Sequence, residues 1–210
     1  MDGDSLGTAA QPTFLVEPPA TEAAARMYDS DRSEDGYVWN VTRLWAWRPD
    51  VDEAFVALRT LLLNEASLDE RDRAVLVAAA VGRRNDSYCS FAWGARLAGL
   101  VGPETAADVI SGRSASTLSP REAALADWAG KVVEDPNATT KSDVEQLREV
   151  GLSDREIFEA TVLIALRLAF STVNDALGAA PDQQLAQAAP EPLRAAIQWG
   201  RPPSSVASGP

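Results

Sequence analysis

Three times along this chain a serine stands three residues ahead of a glutamate at the head of an apolar stretch: Ser67/Glu70, Ser119/Glu122 and Ser153/Glu156. That spacing is the signature of a capping box, in which the serine oxygen accepts from a first-turn amide while the glutamate reaches back to the serine's own amide. Asp50/Glu53 behind Pro49 is a weaker relative, and Pro120 holds the favoured first helical position. Glycines supply the stops, since Gly99, Gly102, Gly151 and Gly178 follow apolar-periodic segments. Together these signals predict helices near 21–29, 38–47, 50–65, 68–83, 86–98, 103–111, 120–133, 141–149 and 154–177, with a short one at 182–188. No stretch alternates apolar and polar residues over strand length with turn chemistry at both ends. The expected fold class is all-α. Segments 68–83 and 154–177 are apolar round most of their circumference (VLVAAAV; ATVLIALRLAF) and are expected at the centre. Residues 68–98 form the expected central helical pair. The spacings between capping boxes, 52 and 34 residues, give no repeat period.

The charge balance narrows the partners. Nineteen Lys and Arg against 31 Asp and Glu leave a formal charge of −12 over 210 residues. A field of that sign repels phosphate backbones and anionic lipid, so neither a nucleic acid nor a membrane surface is an expected partner. The chain has no histidine and one cysteine, Cys89. Ser-His-Asp triads, Cys-His dyads, zinc sites of the HExxH kind and internal disulfides are therefore excluded, and no metal or cofactor is expected. The N-terminal MDGDSLGTAAQPTFLVEPPA carries acids where a secretory signal carries Lys or Arg, and no apolar run approaches the roughly 20 residues that span a bilayer. A cytoplasmic protein is expected. Residues 1–19 read as a flexible N-terminal segment, 20–185 as one helical domain and 186–210 as a Pro/Ser-rich C-terminal tail, with Leu193–Trp199 as one docked turn.

The densest set of unusual residues lies in Arg71–Leu100, RDRAVLVAAAVGRRNDSYCSFAWGARLAGL. An apolar helix gives way to an Arg-Arg-Asn break and a second helix opening at Asp86. Asp86, Cys89 and Trp93 then fall at i, i+3 and i+7 on one face, near a helix N-terminus whose partial positive charge favours anions. Trp39, Trp45 and Trp47 with Tyr37 crowd the segment before Pro49, either as a helix or subunit contact or as an aromatic pocket wall.

The Arg71–Leu100 segment resembles the core of the carboxymuconolactone decarboxylase / alkylhydroperoxidase D-like family, in which a glutamate-bearing helix precedes a CxxC pair and a histidine. The stretches GYVWNVTRLWAWRPDVDEAFVALRTLL and SPREAALADWAGKVVEDPNATTKSDVEQLREVGLSDREIFEATVLIALRLAFSTVNDALG are similar to its flanking helices, so the resemblance covers about 20–185. It implies an alkylhydroperoxidase D-like helical bundle and a homo-oligomer, trimer or hexamer. Cys89 matches the second cysteine of the motif, and Tyr88 before it is a common family choice. Asp86 stands in the first cysteine's place, Trp93 in the histidine's and Ala74 in the glutamate's. Phe170-Ser171-Thr172 replaces the family's Phe-Asn-Arg ahead of the retained Asp175-Ala176-Leu177-Gly178.

A dithiol peroxidase needs a resolving thiol and a proton relay, and these positions no longer hold them. The resemblance and the residues together lead first to a cofactor-independent enzyme acting on a hydrophobic or aromatic small molecule by a lyase, isomerase or cyclisation step. In that reading Asp86 shuttles a proton, Tyr88 or Cys89 assists, and Trp93 contacts substrate. A one-cysteine peroxidase using Cys89 is the second reading, and a non-catalytic binding or assembly subunit the third. For Asp86 the alternative to chemistry is an N-cap, for Cys89 a small buried hydrophobe. Arg83 and Arg84 read as solvated or as anion contacts. Glu70, one turn before Ala74, reads as a capping residue.

Overall fold

A computed structural model describes residues 12–64 and 67–205, and among these every regular element is helical. Eleven α-helices follow one another in the described chain: α1 Glu22–Asp35, α2 Asn40–Trp45, α3 Pro49–Asn64, α4 Glu70–Arg83, α5 Ser87–Val101, α6 Pro103–Ile110, α7 Pro120–Glu134, α8 Lys141–Glu149, α9 Asp154–Ala176, α10 Gln183–Ala188 and α11 Glu191–Ala196. A 3-10 turn at Pro136–Ala138 links α7 to α8.

The centre is α4. Ala74 through Gly82 are all buried, so every side of this helix is covered, by α5, α6, α7 and α9. Small side chains make that possible. A Cβ at Gly82 would stand 2.0 Å from the Ile110 carbonyl oxygen at the end of α6. Leu76, Leu97, Leu125, Ile110 and Ile164 fill the core around it, each at 1% exposure or less. The second expected central helix, α9, is buried along one face only. Ile157, Ala160, Leu163 and Ile164 point inward, while Phe158 is 68% exposed. Its apolar circumference reflects a second face with no cover in the single chain.

Two of the three expected capping boxes form, at Ser119/Glu122 and Ser153/Glu156. A further one, Thr140/Asp143, starts α8. At Ser67/Glu70 the box does not form. Asp69 caps α4 instead, accepting from the Asp72 amide at 2.7 Å, while the Ser67 amide donates to Glu159 at 2.8 Å. Asp50 lies within α3 and pairs with Arg48 rather than capping. Gly99 lies inside α5, which stops at Gly102 with φ +91°. Arg121 joins three helix starts, donating to Asp72 at 2.8 Å and to Glu156 at 2.6 Å.

Neither expected tail is free where it is described. The Phe14 amide donates to the Leu177 carbonyl at 2.8 Å, and the Ala180 amide to the Pro12 carbonyl at 3.1 Å. Residues 1–11 lie outside the described residues. At the other end Leu193 is 0% and Ile197 6% exposed, both within the main core. Farther on, the Arg201 amide donates to Ser87 Oγ at 3.0 Å and that hydroxyl donates to the Arg201 carbonyl at 2.8 Å. The boundary expected at 186 therefore does not divide core from tail: Pro and Ser mark turns in a strap that pins the start of α5. Among the described residues no helix is long and apolar enough to cross a membrane.

Candidate functional site

Two helices carry the site. On α5 and its cap, Asp86, Cys89, Ser90 and Trp93 share one face; on α9, Arg167, Ser171, Asn174 and Asp175 form the facing row. The rows run in opposite directions. Trp93 meets Arg167, whose guanidinium carbon lies 5.1 Å from the indole centroid. Cys89 meets Ser171 and Arg167, with the Ser171 hydroxyl and Arg167 Nη1 each donating to Sγ at 3.8 Å. At the far end the charge of Asp86 acts on Asp175.

Asp86 is the N-cap of α5. Its Oδ1 accepts the Cys89 amide at 2.9 Å, and its side chain is fully buried. The cap uses one oxygen only. Oδ2 is buried with no hydrogen-bond partner among the described residues. Cys89 is 2% exposed. Burial first, then the Asp86 charge, pushes its thiol well above the usual range, and Arg167 pulls the other way without prevailing. The sulfur is a neutral thiol at physiological pH. Asp175, half-buried, is pushed up to about 6 by burial and then by Asp86, against Arg84 and Arg201.

Arg167 is the residue that the sequence reading passed over, although a lone arginine inside ATVLIALRLAF was a visible signal. It is 8% exposed, forms no ion pair among the described residues, and its Nε has no partner. Buried cations are ordinarily matched by carboxylates. Here two rings cover the guanidinium, Trp93 and Phe170, the latter 5.2 Å away. Phe170 stacks in turn on Trp45 at 5.1 Å and meets Phe55 of α3 at 6.0 Å. Trp45 Nε1 donates to Asn174 Oδ1 at 2.9 Å, while Asn174 Nδ2 has no partner among the described residues. Of the clustered aromatics before Pro49, Trp45 thus joins the wall of this site.

Tyr88 points elsewhere. Its hydroxyl donates to Asp182, which also accepts the Asn40 amide, and Trp39 covers its ring at 6.4 Å. A neighbour in sequence is turned by about 100° on a helix, so Tyr88 is not brought to Cys89. Ala74 is 0% exposed, and Glu70 pairs with Arg96 at 2.8 Å on the surface. Arg83 pairs with Glu134, and Arg84 donates to Thr172 at 3.3 Å. Among the described residues no three Cys, Asp or Glu side chains gather as a metal-holding group. A separate cleft of about 790 Å³ opens between α4, α6 and α7 beside Trp199, and none of Asp86, Cys89, Trp93 or Arg167 lines it.

No protein-family model and no curated protein matches the sequence. Solved structures do match. One described as an alkylhydroperoxidase AhpD core, an uncharacterized peroxidase-related protein from Ralstonia eutropha JMP134, is 24% identical with a TM-score of 0.74, over 84% of this chain and 96% of that one. An uncharacterized peroxidase-related protein from Silicibacter sp. TM1040 is 23% identical with a TM-score of 0.75, over 86% and 97%. A cysteine-to-alanine variant of the debrominase Bmp8 in complex with 2,3,4-tribromopyrrole is 16% identical with a TM-score of 0.65, over 92% and 98%. The helical order, the α4–α5 pair at its centre and these likenesses agree: this chain has the alkylhydroperoxidase AhpD-core fold.

Proposed function

We propose that the protein is a small-molecule enzyme on the AhpD-core scaffold that works by proton transfer, without a dithiol or a cofactor, on a flat hydrophobic or aromatic substrate. One observation carries this reading. Oδ2 of Asp86 and Nε of Arg167 are both buried with no hydrogen-bond partner among the described residues, on either side of Cys89, and neither side chain forms an ion pair there. A scaffold that needed these groups only for stability would pair them, because an unpaired buried charge costs several kcal/mol, about 3–5 where one partner of a pair has been removed. Asp86 and Trp93 stand seven residues apart on α5, about 10 Å along the axis. A substrate entering beside Trp93 and Phe170, the rings that cover Arg167, therefore meets Cys89 before Asp86.

The step that fits is a relay. The sulfur of Cys89 takes a proton from an acidified C–H of the substrate while its own S–H proton passes to Asp86 Oδ2. The electron pair left on the substrate is held as an oxyanion beside Arg167. Return of the proton at the same or a neighbouring carbon completes an exchange or an isomerisation, with no electrons lost or gained. The raised pKa of Cys89 suits this role, since the sulfur is never required to rest as a thiolate. It weighs against the one-cysteine peroxidase, whose attack on peroxide needs that thiolate. The debrominase and peroxidase-related neighbours support a scaffold that hosts enzymes, and the reaction here rests on the site.

Access to the buried row belongs to α3, none of whose residues is buried in the single chain. Leu58 and Leu61 of that helix, with Phe158 of α9, leave apolar surface exposed at 49, 67 and 68%. Such a face supports self-association, and light scattering should give a multiple of 22.4 kDa.

The test is a panel of aromatic ketones, lactones and their carboxylated analogues in deuterated buffer, followed by NMR. Deuterium entering a substrate carbon without added cofactor is the expected result. Consumption of peroxide with an external thiol, and no deuterium in any compound, would transfer the role to the peroxidase.

A further inference from the structure

Arg167 is a buried cation that forms no ion pair among the described residues, and aromatic rings surround it. The guanidinium carbon lies over two rings, 5.1 Å from the centroid of Trp93 and 5.2 Å from that of Phe170, and its Nε is left without a partner among the described residues. Trp45 and Phe55 extend the apolar wall beyond Phe170. On α3, one turn from Phe55 on the same face, stands a second arginine. Arg59 is half-buried, and its pKa is lowered by burial first and by the charge of Arg167 second. Asp52, one turn before Phe55 on that face, is the carboxylate that acts on Arg59, and it too is half-buried and pushed up by burial. Two arginines thus flank the Phe55–Phe170 contact from facing helices, with Asp52 beside Arg59.

We propose that Arg167 and Arg59 form a cage for the anionic group of the substrate, so that the flat substrate is an aromatic carboxylate or a group of like shape and charge. The inference rests on the proton-transfer reading for the word substrate, and on the two arginines and four rings for the charge. A planar carboxylate matches the fork of a guanidinium in two parallel hydrogen bonds, which a point cation does not offer. Bound there, it supplies the missing counter-charge to Arg167 and removes the like-charge repulsion between α9 and α3. The ring of the ligand lies between aromatic walls and directs its reactive carbon toward Cys89.

The experiment is a calorimetric and tryptophan-fluorescence titration with benzoate and with benzamide, its uncharged counterpart, on the full chain. Benzoate is expected to bind at least about tenfold more tightly than benzamide, a difference of about 1.4 kcal/mol. Arg167→Met should erase that preference without lowering the melting temperature, because it removes a buried cation that no carboxylate compensates. Arg59→Gln should reduce the preference in part. Equal binding of the two probes, binding of neither, or a fall in melting temperature in Arg167→Met overturns the cage. Asp86→Asn separates this result from the proton reading, since it should leave benzoate binding intact. Benzoate binding with no deuterium exchange in any compound keeps the cage and removes the relay. Exchange confined to neutral compounds, with no preference for benzoate, does the reverse.

Discussion

Whether a side chain serves structure or chemistry is decided here by what its polar atoms lack. Asp86 was legible from sequence as both a cap and a proton carrier, and one oxygen is found in the capping role while the other is buried and unmatched. Cys89 was legible as a site residue, but its titration was not, because the opposing Arg167 and Ser171 come from a helix about eighty residues away. Native Cys89 should react with iodoacetamide at pH 8 far more slowly than the unfolded chain does. Rapid modification at neutral pH would contradict a thiol held protonated by burial and Asp86. Asp175 gives a pH test. Its folded pKa of about 6 lies above the 3.8 of an ordinary aspartate, so folding disfavours the ionised form. The native state then holds the extra proton between these values, and stability attributable to Asp175 falls as pH rises through them. Asp175→Asn should raise the melting temperature at pH 7 and change it little at pH 3.5. An equal shift at both values would assign the effect to packing.

At the scale of elements, local signals located most helices and missed what depends on competition between neighbours. The pattern at Ser67/Glu70 satisfies the capping rule as well as Ser153/Glu156 does. Two residues on, Asp69 and Asp72 offer a competing cap, and the first turn of α4 takes it. Asp69→Ala should cost about 0.5–2 kcal/mol of stability, whereas Ser67→Ala should stay within about 0.5 kcal/mol, since among the described residues only the backbone amide of Ser67 is engaged. Thermal melts of the two variants distinguish the assignments, and the opposite ranking would restore the capping box. Gly99 misled for a related reason. Glycine favours a stop only where the chain must enter positive φ, and that demand falls at Gly102. The centrality of α4 was visible because its neighbours cover all of it. The apolar ring of α9 carried no mark to say which face meets the core.

For the molecule as a whole, capping signals and apolar periodicity gave the class of fold, while the boundary drawn at 186 was misjudged. Pro and Ser in the last segment read as a tail because turns and tails share a composition. Its buried anchors are isolated apolar residues without periodicity. Leu193, fully buried between α5 and α6, should cost about 2–5 kcal/mol on replacement by Ala. A loss below about 0.5 kcal/mol would return the segment to the status of a tail. The same strap holds Ser87 at the start of α5, so stability there and the placing of Asp86 and Cys89 are one property. The central claim is that Asp86 keeps its second oxygen free for a proton that reaches it through Cys89. The most direct measurement is the rate of deuterium entry into whichever aromatic compound the wild-type protein labels, compared with Asp86→Asn. The amide retains an oxygen for the Cys89 amide but cannot accept a proton at neutral pH. The account predicts an unchanged fold by circular dichroism and exchange slowed by about 10²–10⁴-fold. Full exchange in the folded Asp86→Asn protein would contradict it and leave Asp86 a helix cap.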